Sequence, residues 1–123
     1  MPSFYPITYE EMDTFLTTQG FAVIYLPKVA EMVYGKVIDK NVCVRVYTGI
    51  VGEISRDKGN DAIRVVVVKR FYNGTIKPIT SNVSRVNRTE GWKENLQKRI
   101  DNVTVFYYSN LKLNTALKVN TAL

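Results

Sequence analysis

The run Val42-Cys43-Val44-Arg45-Val46-Tyr47-Thr48-Gly49-Ile50 decides the fold class. Val42, Val44, Val46, Thr48 and Ile50 alternate with Cys43, Arg45, Tyr47 and Gly49. A period of two puts the first set on a buried face of a strand and the second on the opposite face. Downstream, Ala62–Arg70 is a second strand, and its unbroken Val65–Val68 run calls for burial on both faces. Phe71-Tyr72-Asn73-Gly74-Thr75-Ile76 follows, with Asn-Gly between β-prone residues, the signal of a type I′ hairpin. Pro78 donates no backbone hydrogen bond, which places the returning strand at a sheet edge or a bulge. Val83–Arg88 continues it.

Working upstream, Val33–Asp39 is a short β-like segment, and Phe21–Leu26 reads as a buried strand ended by Pro27. Before it, Thr8-Tyr9-Glu10-Glu11 has the form of a capping box. Met12, Phe15 and Leu16 recur with Tyr9 at helical spacing, and Gly20 acts as a stop, so a helix is expected over Tyr9–Thr18. At the other end Thr89 is placed as an N-cap. Trp92, Leu96 and Ile100 then form one helical stripe, which makes Trp92 a core residue. Val103–Tyr108 reads as a late strand. Together these elements predict an α+β domain over residues 1–110, with an antiparallel sheet of four to six strands, one N-terminal helix and one C-terminal helix.

Residues 111–123 differ in character. Leu111-Lys-Leu-Asn-Thr-Ala recurs as Leu117-Lys-Val-Asn-Thr-Ala before Leu123. Two copies are too few for a solenoid. Three readings stay open for Leu111–Leu123: strand pairing with a second copy in a homo-oligomer, docking on another protein, or a loosely ordered end.

Charge is distributed unevenly. Arg45–Arg99 holds twelve Lys/Arg and five Asp/Glu, or +7, against +6 for the whole chain. The first 39 residues hold two bases and five acids, or −3. A small domain divided in this way is expected to carry one electropositive face, and such a face attracts nucleic acid. The cations assigned to phosphate are Arg45, Arg64, Lys69, Arg70, Arg85 and Arg88. Tyr47 and Tyr72 are the aromatic partners that would stack on bases. Lys93, Lys98 and Arg99 add to a basic cluster along the last helix. The loop Arg56–Asp61 is either a further phosphate contact or a turn with local Asx bonding.

Composition narrows the chemistry. The chain has no His, which removes imidazole bases, Ser-His and Cys-His pairs, and His metal ligands. A single Cys43 cannot form an internal disulfide or an all-thiolate zinc site, and it suits a reducing, intracellular setting, cytoplasmic or nucleoid-associated. No apolar run approaches membrane-spanning length, and the first residues lack the pattern of a signal peptide. No cofactor, metal or catalytic residue is assigned, and the expectation is a protein that is not an enzyme.

The blocks Val44-Arg-Val-Tyr-Thr, Gly59-Asn-Asp-Ala-Ile-Arg-Val, Arg85-Val-Asn-Arg-Thr-Glu-Gly-Trp and Leu96-Gln-Lys-Arg-Ile, spanning Val44–Ile100, resemble a group of small phage and bacterial proteins of poorly defined function. Some members of that group continue into a topoisomerase-type zinc finger with four cysteine ligands, an association that implies nucleic-acid work. With Cys43 alone, these 123 residues hold no such finger. The order strand, strand, hairpin, strand, helix is similar in topology to the positive transcription-coactivator type of single-strand binder.

The function expected from the sequence is therefore non-enzymatic binding of single-stranded DNA or RNA. A second reading is a phage- or viral-type accessory protein acting as a protein–protein module. A third is a carboxylate-metal nuclease built around Asp61 and Lys69.

Overall fold

The computed structural model describes residues 7–51, 54–55, 63–79 and 84–122. In chain order the elements are α1 (Tyr9–Thr17), β1 (Ala22–Ile24), β2 (Val33–Asp39), β3 (Val42–Tyr47), β4 (Ile50–Val51), β5 (Ile54–Ser55), β6 (Ile63–Arg70), β7 (Ile76–Pro78), β8 (Ser84–Val86) and α2 (Trp92–Ala122). The architecture is α+β. Its main sheet is antiparallel with the order β1-β2-β3-β6-β7, and β8 also pairs with β6. β7 takes the Val68–Arg70 end of β6 and β8 takes the Ile63–Val65 end, so two short strands share one edge. β4 and β5 form a separate two-stranded ribbon.

Alternation sorts the sheet residues into two faces. On one, Tyr34, Val42, Val44, Val46, Ile63, Val65, Val67 and Val86 join Met12 and Leu16 of α1 and Trp92, Leu96 and Ile100 of α2 in a single core. Both helices therefore cover the same face. Thr8 caps α1 as the sequence predicts: its hydroxyl accepts from the Glu11 amide at 3.2 Å, and the Glu11 carboxylate accepts from the Thr8 amide at 3.2 Å. Gly20, at φ +90°, turns the chain out of the helix. The Val65–Val68 run is buried throughout, as its position in the middle of the sheet requires.

Several local expectations are corrected. Phe21–Leu26 is not a buried strand. Only Phe21 reaches the core; β1 is an edge strand with Val23 exposed, and Tyr25 just beyond it is exposed as well. β3 stops at Tyr47 instead of running to Ile50. There the Thr48 hydroxyl donates to the Met32 carbonyl at 2.7 Å and accepts from the Ile50 amide at 3.1 Å, and Gly49 takes φ +70°. That local bonding competes with the ladder and bends the chain into β4. The 71–75 turn is not type I′, because Asn73 does not take the positive φ that form needs. Instead the Gly74 amide donates to the Phe71 carbonyl at 2.9 Å, the Phe71 amide donates to the Thr75 carbonyl at 2.8 Å, and Gly74 alone is left-handed, at φ +84°. This is the three-residue hairpin with a glycine bulge.

Thr89 is not the helix cap. α2 begins at Trp92, and the Gly91 carbonyl accepts its first helical bond, from Asn95 at 3.2 Å. Val103–Tyr108 is helix, not strand. Val103 and Tyr107 extend the Trp92–Leu96–Ile100 stripe against the core, and that packing outweighs their β propensity. The backbone helix continues without a break through residue 111 to Ala122, about 46 Å in all. The repeat at Leu111–Ala122 thus has a helical backbone rather than that of a pairing strand.

Three contacts tie the helices to β2. The Tyr34 hydroxyl donates to Asp13 of α1 at 2.7 Å, and the Tyr107 hydroxyl donates to Asp39 at 2.7 Å. Tyr108 donates to the Ile38 carbonyl. A register shift between Val37 and Asp39 carries Asp39 to the helix side, within reach of Tyr107. The bond from Tyr107 holds the Asp39 carboxyl below its usual range. Burial, reinforced by the bond to Asp39, pushes the Tyr107 hydroxyl up from 10.0 to about 12. Burial and the bond to Asp13 raise Tyr34 further still. The folded state holds these two phenolic protons more tightly than the unfolded chain does. Both contributions to stability are therefore complete below the ordinary tyrosine value of 10.0 and decline above it, that of Tyr107 being lost as pH rises through about 12. Urea melts at about pH 9 and about pH 11 are expected to show the lower midpoint at the higher pH. Equal midpoints would contradict the assignment.

Candidate nucleic-acid interface

The face of the sheet opposite the helices is set by the strand registers. Cys43, Arg45 and Tyr47 of β3 stand across from Val68, Val66 and Arg64 of β6. Arg64 in turn stands across from Arg85 of β8, and Arg70 across from Ile76 of β7. Val33, Gly35 and Val37 of β2 continue this face, paired with Tyr47, Arg45 and Cys43, and Ala22 and Ile24 of β1 follow across from Gly35 and Val33. Gly35 is needed for packing: a Cβ there would lie 2.1 Å from Ile24 Cδ1. No strand position on this face carries Asp or Glu among the described residues. At ordinary strand spacings, the Cα atoms of Arg85 and Arg45 are about 12 Å apart, and those of Arg45 and Arg70 about 14 Å. Arg85 and Arg45 flank β6 on opposite sides and Arg70 stands further along β6 itself, so the three trace a bent path over the sheet.

Arg85 also belongs to a groove of about 460 Å³ between β8 and α2. Arg85, Asn87 and Thr89 line one wall at strand spacing. Asn95, Lys98, Arg99 and Asn102 line the other at i, i+3, i+4 and i+7, one face of a helix. All but Thr89, which is half-buried, are exposed. The lining has three cations, four neutral polar groups and no carboxylate.

The sequence-predicted residues divide accordingly. Arg45, Arg70 and Arg85 share the helix-free face. Tyr47 is there too, but in a supporting position: its hydroxyl accepts from Arg45 Nη1 at 3.4 Å, and its ring lies 5.2 Å from the Arg64 guanidinium. Arg64 is held by Glu31, whose two carboxylate oxygens accept from Nη2. Glu31 also accepts from the Gly49 amide at 3.1 Å. The Arg64 charge is therefore offset within the protein. Lys69 lies on the opposite face, paired with Val42 and Lys77, with its ammonium 5.7 Å from the Phe71 ring. Arg88 is buried, and its Nη1 donates to the Thr48 carbonyl at 3.2 Å, where it braces the bend after β3. Tyr72 is fully exposed at the tip of the β6–β7 hairpin. Trp92 is buried edge-on to Phe15, with ring centroids 5.5 Å apart, and has no face to offer a base.

The acids of α1 lie on the far side. Glu10 and Glu11 line a shallow cleft with Phe15 and Lys93 on the helical layer. Arg56–Asp61, including the acid of the nuclease reading, falls outside the described residues. Among the described residues, no group of three or more Cys, Asp or Glu could hold a metal, and no helix is long and apolar enough to cross a membrane. The sequence missed Glu31 as the partner of Arg64, since 33 residues separate the two and no spacing rule links them. It also missed Asn87, Asn95 and Asn102, whose alignment exists only once β8 and α2 are placed side by side.

Comparison with protein-family models, curated proteins and solved structures returns no match.

Proposed function

We propose that this protein binds single-stranded nucleic acid without catalysing a reaction on it. The observation that carries the proposal is the set Arg85, Arg45 and Arg70 on a sheet face that neither helix covers, continuous at Arg85 with the Lys98/Arg99 groove. Cations spaced along a face whose described strand positions carry no acid neutralise successive phosphates. The groove takes the backbone at one end, through Lys98, Arg99 and the Asn and Thr side chains that can donate to phosphate oxygens. Exposed Tyr72 at the other end offers a ring to a base. The separation of faces supports a single strand over duplex, since unstacked bases can lie flat on a sheet while phosphates follow its arginines. Glu31 keeps Arg64 in place as structure, and Arg64 in turn supports the Tyr47 ring.

Fluorescence anisotropy with a labelled single strand and the matching duplex tests this directly. The single strand is expected to bind more tightly. Equal or tighter binding of the duplex would contradict the single-strand assignment.

A further inference from the structure

A second cavity, of about 280 Å³, opens on the same helix-free face near the ends of the β2–β3 and β6–β7 hairpins. Its lining is unlike that of the groove. Val37, Cys43 and Val68 form one cross-strand row, and Ile76 on β7 stands beside that row, across from Arg70. Arg45 stands two residues to one side of that row on β3, and Arg70 two residues to the other on β6. Val37 and Ile76 are exposed apolar residues, and Val68 is buried beneath them. Arg45 has a buried Nε–H with no acceptor among the described residues. Arg64 Nε is buried in the same way, and a buried donor without an acceptor calls for an explanation at each position.

We propose that this cavity is a base-binding subsite, in which one nucleobase lies on the Val37/Val68/Ile76 surface while Arg45 and Arg70 hold the phosphates on either side of it. The inference rests on the single-strand reading above and adds where a base is held. Three features require this class of ligand together. The apolar row excludes a bare anion, which would gain nothing from Val37 and Ile76. The two guanidiniums exclude a neutral apolar guest, since their charges would lose water without a partner. A planar group flanked by two anions matches both, and arginine planes also stack on bases. The Cα spacing of about 14 Å between Arg45 and Arg70 leaves room for a base between two phosphate contacts.

Cys43 lies in the lining and is the chain's one cysteine, which makes it a built-in reporter. The experiment compares a twelve-residue oligothymidine with an abasic sugar-phosphate strand of the same length. Each is titrated by anisotropy against the wild-type protein and the exposed-site variants Val37→Ser and Arg70→Gln. Alkylation of Cys43 by N-ethylmaleimide is followed in parallel. Oligothymidine is expected to slow Cys43 alkylation at least about fivefold, and the abasic strand to leave it unchanged. Val37→Ser is expected to weaken oligothymidine about tenfold without affecting the abasic strand, and Arg70→Gln to weaken both. Salt-sensitive binding of oligothymidine with Cys43 alkylated at its free rate would overturn the subsite and leave the interface standing. Equal protection by both strands would overturn the base contact. Absence of binding by either strand would overturn the interface and the subsite together.

Discussion

Arg85→Glu combined with Arg99→Glu is expected to weaken single-strand binding by at least about 100-fold while leaving the fold intact. Both side chains are exposed, and both line the groove between β8 and α2. A hydrogen bond to a charged group contributes about 1.5–3 kcal/mol, so losing two is about 3–6 kcal/mol, or roughly two to four decades in affinity. Reversing the sign adds repulsion. Arg85 pairs across the sheet with Arg64, whose own charge is offset by Glu31, so the carboxylate introduced by Arg85→Glu would gain little from that neighbour. The choice of pair matters. Arg88 is close in sequence but buried against Thr48, and Arg88→Glu would unfold the bend after β3 rather than test binding. Unchanged affinity in a folded Arg85→Glu/Arg99→Glu protein would remove the groove from the interface.

Trp92→Ala is expected to destabilise the protein by about 3–5 kcal/mol, as deletion of a large core aromatic does. The ring is 1% exposed, packs edge-on to Phe15 of α1 at 5.5 Å, and opens the stripe that seats α2 on the sheet. Its loss would leave a cavity where both helices meet, in a domain whose whole stability is of the order of 5–15 kcal/mol. Urea unfolding followed by circular dichroism measures the effect. A midpoint close to wild type would contradict the core assignment. In the intact protein the ring's emission is expected to be blue-shifted and insensitive to added oligonucleotide.

Much of this arrangement is legible in the sequence where burial and periodicity agree. Val42/Val44/Val46, Val65–Val68 and Trp92/Leu96/Ile100 each occupy the face their spacing requires. The Thr8–Glu11 cap is legible because all its bonds are made within four residues. Legibility fails where a partner distant in sequence decides. Val103–Tyr108 has strand-like composition, but Tyr107 finds the core and Asp39 only as part of a helix. Arg64 and Arg88 look like surface cations until Glu31 and Thr48 are brought to them by the bend at Gly49. Lys69 is a different case: it sits one residue from Arg70, and strand alternation, a local rule, is enough to send it to the other face.

The central claim is that cations on the helix-free face and its adjoining groove neutralise the phosphates of a single strand. Its most direct test is the salt dependence of oligothymidine binding by the wild-type protein. With Arg45, Arg70, Arg85, Lys98 and Arg99 each on a phosphate, the logarithm of the association constant is expected to fall linearly with the logarithm of salt, at a slope of about −3.5. A slope near zero, or no measurable binding at low salt, would contradict it.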